Sequence, residues 1–508
     1  MRAQSLLVVL LLAGCGARTT LSIGSDAGAG PTLRDGGARD AGARDAGTVD
    51  AARPDAGPPR TACRRDADCD GTVCRGSTAD APEDLAAIGL FCGSPESDPT
   101  GAPGSPCLEQ TQCDRHLCTV SGTCVIPCVS DRDCAPDELC REAWITTSPT
   151  TMEHLSACTA RVAAPSDVRV VGPEPGPMLG GVATADTLAD LTPNALVVWR
   201  GPAESEPLIE RIVSRTAAAP VVYDAFRVPA PDDPAPTWGV APATIREVVT
   251  LLHPNGPRSP TSRRGFDVFL SSEMPGASER VIFQRSAEGH VLDLDLYLVG
   301  GSGWTSRDGE PPRALASAIE ELRAIFAPVG VEIGDVRIHE VVGSLRRRFQ
   351  MLEGSDGLLG APPDLPNLYR LSAGANRPSV HVFFVRFIQD ALGIASGIPG
   401  PHAMPGTGAS GVAIASDLIP DGQLPMVIAH EIGHFCGLFH TSELDGSVNE
   451  PLTDTAECRT DRDANGDGFL LPEECVGAGG ENLMFWAGTS PTISAQQGAI
   501  YRNAYFVR

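Results

Sequence analysis

Residues 430–440 read HEIGHFCGLFH, and this stretch decides how the rest of the chain is interpreted. His430 and His434 are four residues apart on a predicted helix, so both imidazoles project from one face at a distance that one Zn²⁺ can bridge. Gly437 can adopt the left-handed conformation that ends a helix, and His440 then supplies a third nitrogen. Three protein ligands with an open fourth position are typical of a catalytic zinc site.

Glu431 directly follows the first of these histidines. It lies about 100° round the helix, where its carboxylate can reach a metal-bound water rather than the metal. Each histidine alone would more often be an ordinary core or surface residue. The full eleven-residue pattern is far more specific, and it predicts Glu431 as the catalytic residue.

The stretch resembles the metzincin zinc endopeptidases, whose pattern H-E-x-x-H-x-x-G-x-x-H is followed by a Met-turn. Residues 482–484 (NLM) are similar to that turn, with Met484 as the apolar floor beneath the metal. Together with Asp454 and Thr455, this turn looks most like that of the pappalysin family. Trp486 departs from the pattern, because pappalysin-like and astacin-like turns often carry a tyrosine there.

For residues 290–508 the resemblance implies an α/β (α+β) catalytic domain with a mixed sheet and an active-site helix. It also implies that zinc-activated water hydrolyses peptide bonds with Glu431 as general base. The substrate would be a peptide or protein that pairs with an edge strand at residues 411–415. The alternative from another class is a surface binding or adhesion lipoprotein with a degenerate, non-catalytic protease domain.

The hydrophobic pattern of this region also predicts mixed secondary structure. An alternating run predicts a strand, and apolar residues on one face predict a helix. The predicted strands are 291–299, 331–342, 380–387 and 411–415, and the predicted helices are 314–327 and 424–435.

Residues 463–474 (DANGDGFLLPEE) fit a twelve-residue Ca²⁺ loop with a glycine at position 6. The helices of an EF-hand are not evident on either side, so a solvated acidic turn is the other interpretation. Cys458 and Cys475 bracket the loop and are predicted to form a disulfide, whereas Cys436 is expected to be a buried thiol. The predicted calcium ligands are Asp463, Asn465, Asp467, Phe469 and Glu474.

Residues 61–160 hold twelve of the sixteen cysteines in an internal repeat. An exported chain without a large core can be stapled by disulfides, so we expect three four-Cys modules with two disulfides each. Zinc is the alternative, and the pairing within a module is open. We also expect these repeats to bind a surface partner. The sets are Cys63, Cys69, Cys74, Cys92, then Cys107, Cys113, Cys118, Cys124, then Cys128, Cys134, Cys140, Cys158.

Residues 166–287 contain short apolar runs separated by Pro- and Gly-rich turns, which predict a β-sandwich-like domain. Nothing in this region clusters into a chemical site. We interpret it as a β-rich accessory domain or a prosegment.

The length of 508 residues predicts a multidomain chain, at about 100–200 residues for each domain. All 39 basic residues are arginines, and with 64 acidic residues the net charge is −25. Such a chain repels phosphate backbones and anionic head groups, so nucleic-acid binding as a main role is excluded.

Residues 1–15 read as a signal peptide that ends in LAGC, which resembles the lipobox of bacterial lipoproteins. By this resemblance Cys15 is lipidated, and the protein lies at the outer membrane or cell surface of a Gram-negative bacterium, held by the lipid anchor only. Ordinary secretion, with Cys15 as a bystander, is the alternative. Residues 16–60 are rich in Asp, Ala and Gly and predict a disordered tether.

Replacing the predicted lipidation site tests the anchor. Cys15→Ser should move the protein from membranes to the soluble exported fraction, because no other segment is predicted to hold it. Fractionation of cells followed by immunoblotting measures this. Membrane attachment of the variant equal to wild type would mean that the lipobox interpretation is wrong.

Overall fold

The computed structural model describes residues 62–508 except 77–89, 95–100, 108–109, 147–151, 190–194, 202–206, 216–220, 225–242, 246, 254–264, 302–310, 342, 354–363, 403, 421 and 489. The predicted signal peptide and tether lie outside the described residues. Within the described ranges, no helix is both long and apolar enough to cross a bilayer.

The cysteine-rich region consists of three disulfide-linked units, as predicted. In every unit the first cysteine pairs with the third and the second with the fourth. The structure therefore resolves a pairing that the sequence left open. Together with the Cys458–Cys475 bond, these disulfides indicate an oxidising compartment outside the cytoplasm. The strands of this region are β1 (Val73–Gly76), β2 (Leu90–Gly93), β3 (Cys118–Thr119), β4 (Ile126–Pro127), β5 (Glu138–Thr146) and β6 (Met152–Ala160).

Aspartates that precede the second cysteine organise two of these units. Asp66 Oδ1 accepts a hydrogen bond from the backbone N–H of Cys74, and Asp131 Oδ1 accepts one from Cys140, both at 2.8 Å. Each bond ties a short 3₁₀ turn to the strand that carries the third cysteine. The repeated aspartate is therefore part of the local fold.

Residues 168–285 form two packed sheets, which agrees with the predicted β-rich region. Their strands are β7 (Val168–Leu179), β8 (Thr184–Leu188), β9 (Ala195–Arg200), β10 (Leu208–Ser214), β11 (Val221–Asp224), β12 (Ala243–Ile245), β13 (Val248–His253), β14 (Phe266–Ser271) and β15 (Gly276–Arg285). The strand orders are β11-β10-β14-β8 and β12-β13-β9-β15-β7. Trp199 from one sheet and Phe266 from the other lie in one shared core.

The remaining residues form a mixed five-stranded sheet with helices on both faces. The strands of this region are β16 (Val291–Leu298), β17 (Glu332–Glu340), β18 (Met351–Leu352), β19 (Val380–Val385), β20 (Phe387–Ile388), β21 (Gly393–Ala395) and β22 (Val412–Ala415). Strands β18 and β20 pair separately, and the other five form the sheet in the order β17-β16-β19-β22-β21. The first four strands of that order are parallel and the last is antiparallel. The helices are α1 (Arg313–Phe326), α2 (Gly343–Phe349), α3 (Leu365–Tyr369), α4 (Leu424–Cys436) and α5 (Ala495–Asn503).

The prediction that residues 411–415 form the edge strand is wrong. Strand β22 lies inside the sheet between β19 and β21, and the antiparallel β21 occupies the edge. Strand β21 has only three residues, Gly-Ile-Ala, which is too short a run to show a period of two. Its identity as a strand depends on pairing with β22, which no local pattern encodes.

The two faces of this sheet carry separate cores. Leu294 on β16 packs in the core that contains α1 and α4, whereas Tyr297 on the same strand faces the core of α2 and α3. This alternation follows from the two-residue period of a strand. Helix α1, which the sequence predicts at 314–327, buries an apolar stripe of Leu315, Ile319, Leu322 and Phe326.

The cysteine-rich units and the sandwich pack firmly against the region of the mixed sheet. The Ser121 hydroxyl lies 3.1 Å from the Tyr297 hydroxyl, and both groups are buried. Val248 of the sandwich shares a core with Met404 and Tyr505. Burial of this apolar surface stabilises the combined unit, which favours an accessory domain over a removable prosegment.

Deleting residues 61–287 should prevent stable folding of residues 288–508. The deletion would expose Met404, Tyr505 and the hydroxyl of Tyr297, and it would remove their partners. Thermal unfolding followed by circular dichroism, with deletion of residues 16–60 as control, measures this. A cooperative transition of the fragment at the temperature of the intact chain would contradict the expectation.

Candidate metal centre

Helix α4 brings three histidines to one point. His430 and His434 lie on its last two turns, and Gly437 ends the helix with φ of +113°, as predicted. The chain then returns, so that His440 Nε2 lies 3.2 Å from His430 Nε2 and 3.1 Å from His434 Nε2. All three side chains are buried, with 2–4% of each residue exposed.

The other ring nitrogen of each histidine is held by an oxygen. His430 Nδ1 lies 2.8 Å from the carbonyl oxygen of Leu483, and His434 Nδ1 lies 2.7 Å from that of Leu438. A carbonyl oxygen only accepts hydrogen bonds, so both Nδ1 atoms carry the proton and donate it. The Nε2 atoms therefore point their lone pairs toward the shared point, as metal ligands do.

The electrostatic environment separates the third histidine from the other two. Burial, together with neighbouring histidines, lowers the pKa of His430 to about 3 and that of His434 well below its ordinary value. Burial is the largest cause acting on His440 and would lower its pKa, but the carboxylates of Glu443, Glu431 and Glu450 together outweigh burial, so the net direction is upward. His430 and His434 are thus neutral at pH 7.

The donor set fits a metal ion. Tetrahedral nitrogen ligands at about 2.0–2.1 Å from Zn²⁺ lie about 3.3 Å from one another. The two separations from His440 Nε2, 3.1 and 3.2 Å, are close to this value. Two facing lone pairs in a buried site repel each other, and a cation bound by all three nitrogens removes that repulsion. His430, His434 and His440 can therefore bind a metal ion.

A scan against protein-family models and a search of curated proteins find no match for this chain. The assignment of the centre therefore depends on its own geometry. The other compact groups of potential ligands within the described ranges are built on cysteines that are joined in disulfides.

The predicted Met-turn lies against the histidine helix. Met484 is fully buried, and a Cβ atom added to Gly433 would lie 2.6 Å from its sulfur. A glycine at position 433 is therefore required for the turn to approach the helix. The Met484 carbonyl also accepts a hydrogen bond from the N–H of Thr441, next to the third histidine, at 2.8 Å.

Glu431 lies between the centre and the edge strand. It is 1% exposed, and a Cβ atom added to Gly393 on β21 would lie 2.6 Å from its Oε1. Its charge also acts to raise the pKa of His440, behind burial and Glu443 among the causes. The predicted catalytic carboxylate thus lies close to both the histidines and the strand.

Two supporting features were missed by sequence reasoning. Glu443 Oε2 lies 2.9 Å from His440 Nδ1 and orients the third imidazole. Buried Gln497 of α5 donates to Glu450 at 3.1 Å and accepts from Asn482 of the Met-turn at 2.9 Å. Burial raises the pKa of Glu450 to about 7. These contacts join distant segments, and the only sequence signal for Glu443 is a carboxylate three residues after a ligand.

The predicted calcium loop forms a closed turn next to the centre. Asp463 accepts from the N–H groups of Gly466 and Gly468 at 2.7 and 2.9 Å, and Asn465 accepts from Asp467 at 2.8 Å. Among the described residues, its acidic side chains do not form one of the compact ligand groups. Calcium binding by the loop therefore stays a prediction.

The predicted disulfide between Cys458 and Cys475 is confirmed, and it joins the two ends of the segment that contains this loop. Trp486 packs in the same small core, and its Nε1–H donates to the carbonyl of Leu470 at 2.6 Å. Trp486 therefore supports the loop. Cys436 is a buried free thiol, as expected.

Removing the carboxylate that orients His440 should weaken metal binding. Glu443→Ala should lower the affinity about 10–100-fold, because the ligand loses the acceptor that fixes its ring. Glu443→Gln keeps an acceptor oxygen and should lose less. Competition with a chromophoric zinc chelator measures the affinities. Equal affinity of Glu443→Ala and wild type would refute an orienting role.

Calcium should stabilise the intact chain through residues 463–474. Extracellular loops of this kind bind at about 10⁻⁴–10⁻³ M, and calcium at 100 times the dissociation constant would add about 2.7 kcal/mol to the free energy of unfolding. The melting temperature should rise with calcium in wild type but not in Asp463→Ala/Asp467→Ala. Asp461→Ala, an exposed neighbour, is the control. Identical calcium responses in wild type and double variant would identify an acidic turn only.

Proposed function

We propose that the protein is a zinc-dependent endopeptidase of the metzincin type, exported and tethered at the bacterial cell surface. The observation that carries the proposal is the convergence of three imidazole Nε2 atoms beside Glu431. Three nitrogen ligands plus an adjacent carboxylate is the ligand set of a hydrolytic zinc centre.

The edge strand supports a polypeptide substrate. The Leu392 carbonyl accepts from Ala415 N at 2.9 Å, and Ser396 N donates to the Gly411 carbonyl at 3.1 Å. In an antiparallel pair, alternate residues carry the inter-strand hydrogen bonds, so the backbone groups of Gly393 and Ala395 point away from β22. An extended peptide can pair with these groups as an added strand.

The chemistry then follows from the residues around this position. When bound, zinc supplies the Lewis acid that such hydrolysis requires. Glu431 is held against Gly393, so its carboxylate lies next to a peptide bond on that strand. It acts as general base toward the attacking water, and it then delivers the proton to the leaving amine nitrogen.

Export to the cell surface accords with the disulfides of the described residues. Such bonds persist in oxidising compartments. We propose that a lipid anchor on Cys15 holds the protein there and that the cysteine-rich units contact a surface partner. A net charge of −25 opposes binding to nucleic acid.

A second candidate function is a surface binding protein in which the metal is structural. Its support is the burial of the centre, because Glu431 and all three histidines are at most 4% exposed. A polypeptide reaches Glu431 only if the cleft opens. Trp486 also stands where related turns often carry a tyrosine, and its indole packs in another core.

Replacing the proposed base separates the two functions. Glu431→Gln should keep stoichiometric zinc but hydrolyse a quenched fluorescent peptide library about 10²–10⁴-fold more slowly, because the attacking water lacks its base. His440→Ala should instead lose zinc, which metal analysis of the purified protein measures.

The matched control is Glu320→Gln on helix α1, whose side chain is 72% exposed. It should hydrolyse like wild type. If zinc-loaded wild type and Glu431→Gln hydrolyse the library equally, the peptidase is refuted. If zinc removal then lowers only the melting temperature, the structural alternative holds.

A further inference from the structure

A cavity of about 370 Å³ lies where the third cysteine unit, the sandwich and the mixed-sheet region meet. It is separate from the histidine centre, and none of its lining residues is used in the proposed chemistry. Ligand sites often lie at such junctions and have volumes of about 300–1,000 Å³. Its charged lining residues are Asp131, Glu142, Arg200, Glu247 and Arg370.

Glu247 gives the cavity a buried negative group. It is 3% exposed, and its Oε1 accepts from Arg370 Nη2 at 2.9 Å and from the N–H of Gly408 at 3.2 Å. Within the described part of the chain, its Oε2 has no hydrogen-bond partner. A buried carboxylate oxygen that accepts no hydrogen bond is unfavourable, so a donor group from outside the chain would stabilise the Glu247 carboxylate.

Arginines add positive charge to the surroundings of the cavity. Arg200 lines the cavity. Arg141 lies on β5 between the lining residues Cys140 and Glu142, and the positive charge of Arg200 acts on it. Burial first, and then the like charge of Arg200, lower the pKa of Arg141 to about 9. A carboxylate bound near these two guanidinium groups would relieve their repulsion.

We propose that this cavity binds a dipolar ligand, a free amino acid or short peptide with unblocked ends. Its ammonium group lies near the carboxylates of the lining residues Glu247 and Glu142. Its carboxylate accepts from Arg200. A ligand of one charge would leave the lining groups of its own sign without a partner, whereas a dipolar ligand can pair with groups of both signs. The inference does not depend on the proposed peptidase activity.

Isothermal titration calorimetry of the intact chain with L-alanyl-L-alanine tests the proposal. We expect binding of one molecule for each chain, and no binding of the same dipeptide acetylated at the amino end and amidated at the carboxyl end. Arg200→Gln should weaken binding by roughly tenfold or more, because it removes a charge-assisted hydrogen bond.

Three further variants make the result specific. Glu142→Gln, whose side chain is 44% exposed, should also weaken binding and replaces Arg200→Gln if that variant fails to fold. Arg211→Gln, on an exposed residue of the sandwich, should bind like wild type. Glu320→Gln on helix α1 should also bind like wild type, because its side chain is 72% exposed and does not line the cavity.

Several outcomes would overturn the inference. They are no heat beyond dilution, equal binding of the blocked dipeptide, unchanged affinity in both cavity variants, or loss of binding in Arg211→Gln. The first of these would mean that the cavity holds only water.

Discussion

The convergence of three imidazole Nε2 atoms, two of them 3.2 and 3.1 Å from the third, is the constraint on which this region of the molecule depends. Two of the rings are neutral and point lone pairs at a common position, so only a cation makes the arrangement favourable. The Nδ1 atom of each ring is hydrogen-bonded to an oxygen, which belongs to Leu483, Leu438 and Glu443 for the first, second and third histidine. The turn after the helix and the Met-turn must therefore both fold correctly before the three nitrogens can meet.

The surrounding scaffold holds that helix from several sides. Tyr501 of α5 donates to the carbonyl of Ala429 at 2.9 Å, and Gly433 admits Met484 beneath the histidines. On the far side, the connection between β21 and β22 packs against the sandwich, where Thr250 donates to the carbonyl of Pro399. The N-terminal half of the described chain thus helps to position the edge strand that lies next to Glu431.

The predictable parts of this architecture are those whose residues lie close together in the sequence. The histidine spacing lies within eleven residues, and the cysteine repeat has regular intervals, so both could be read directly. The disulfide pairing, strand β21 and the contacts of Glu443 and Gln497 could not be read in this way. Each depends on which distant segments the fold brings together, and a three-residue strand or a lone carboxylate has no period of its own.

The bond between Cys458 and Cys475 ties the metal centre to the redox state of its surroundings. It lies in the small core that contains Leu470 and Trp486, two residues beyond Met484. In a reducing cytoplasm this bond does not form, and the turn that carries Met484 beneath the histidines loses the support of the disulfide-linked core. The chain would then complete the centre only after export and oxidation. Its metal would have to come from the ions available in the oxidising compartment outside the cytoplasm. A metal-loaded centre would therefore form only in molecules that have reached that compartment.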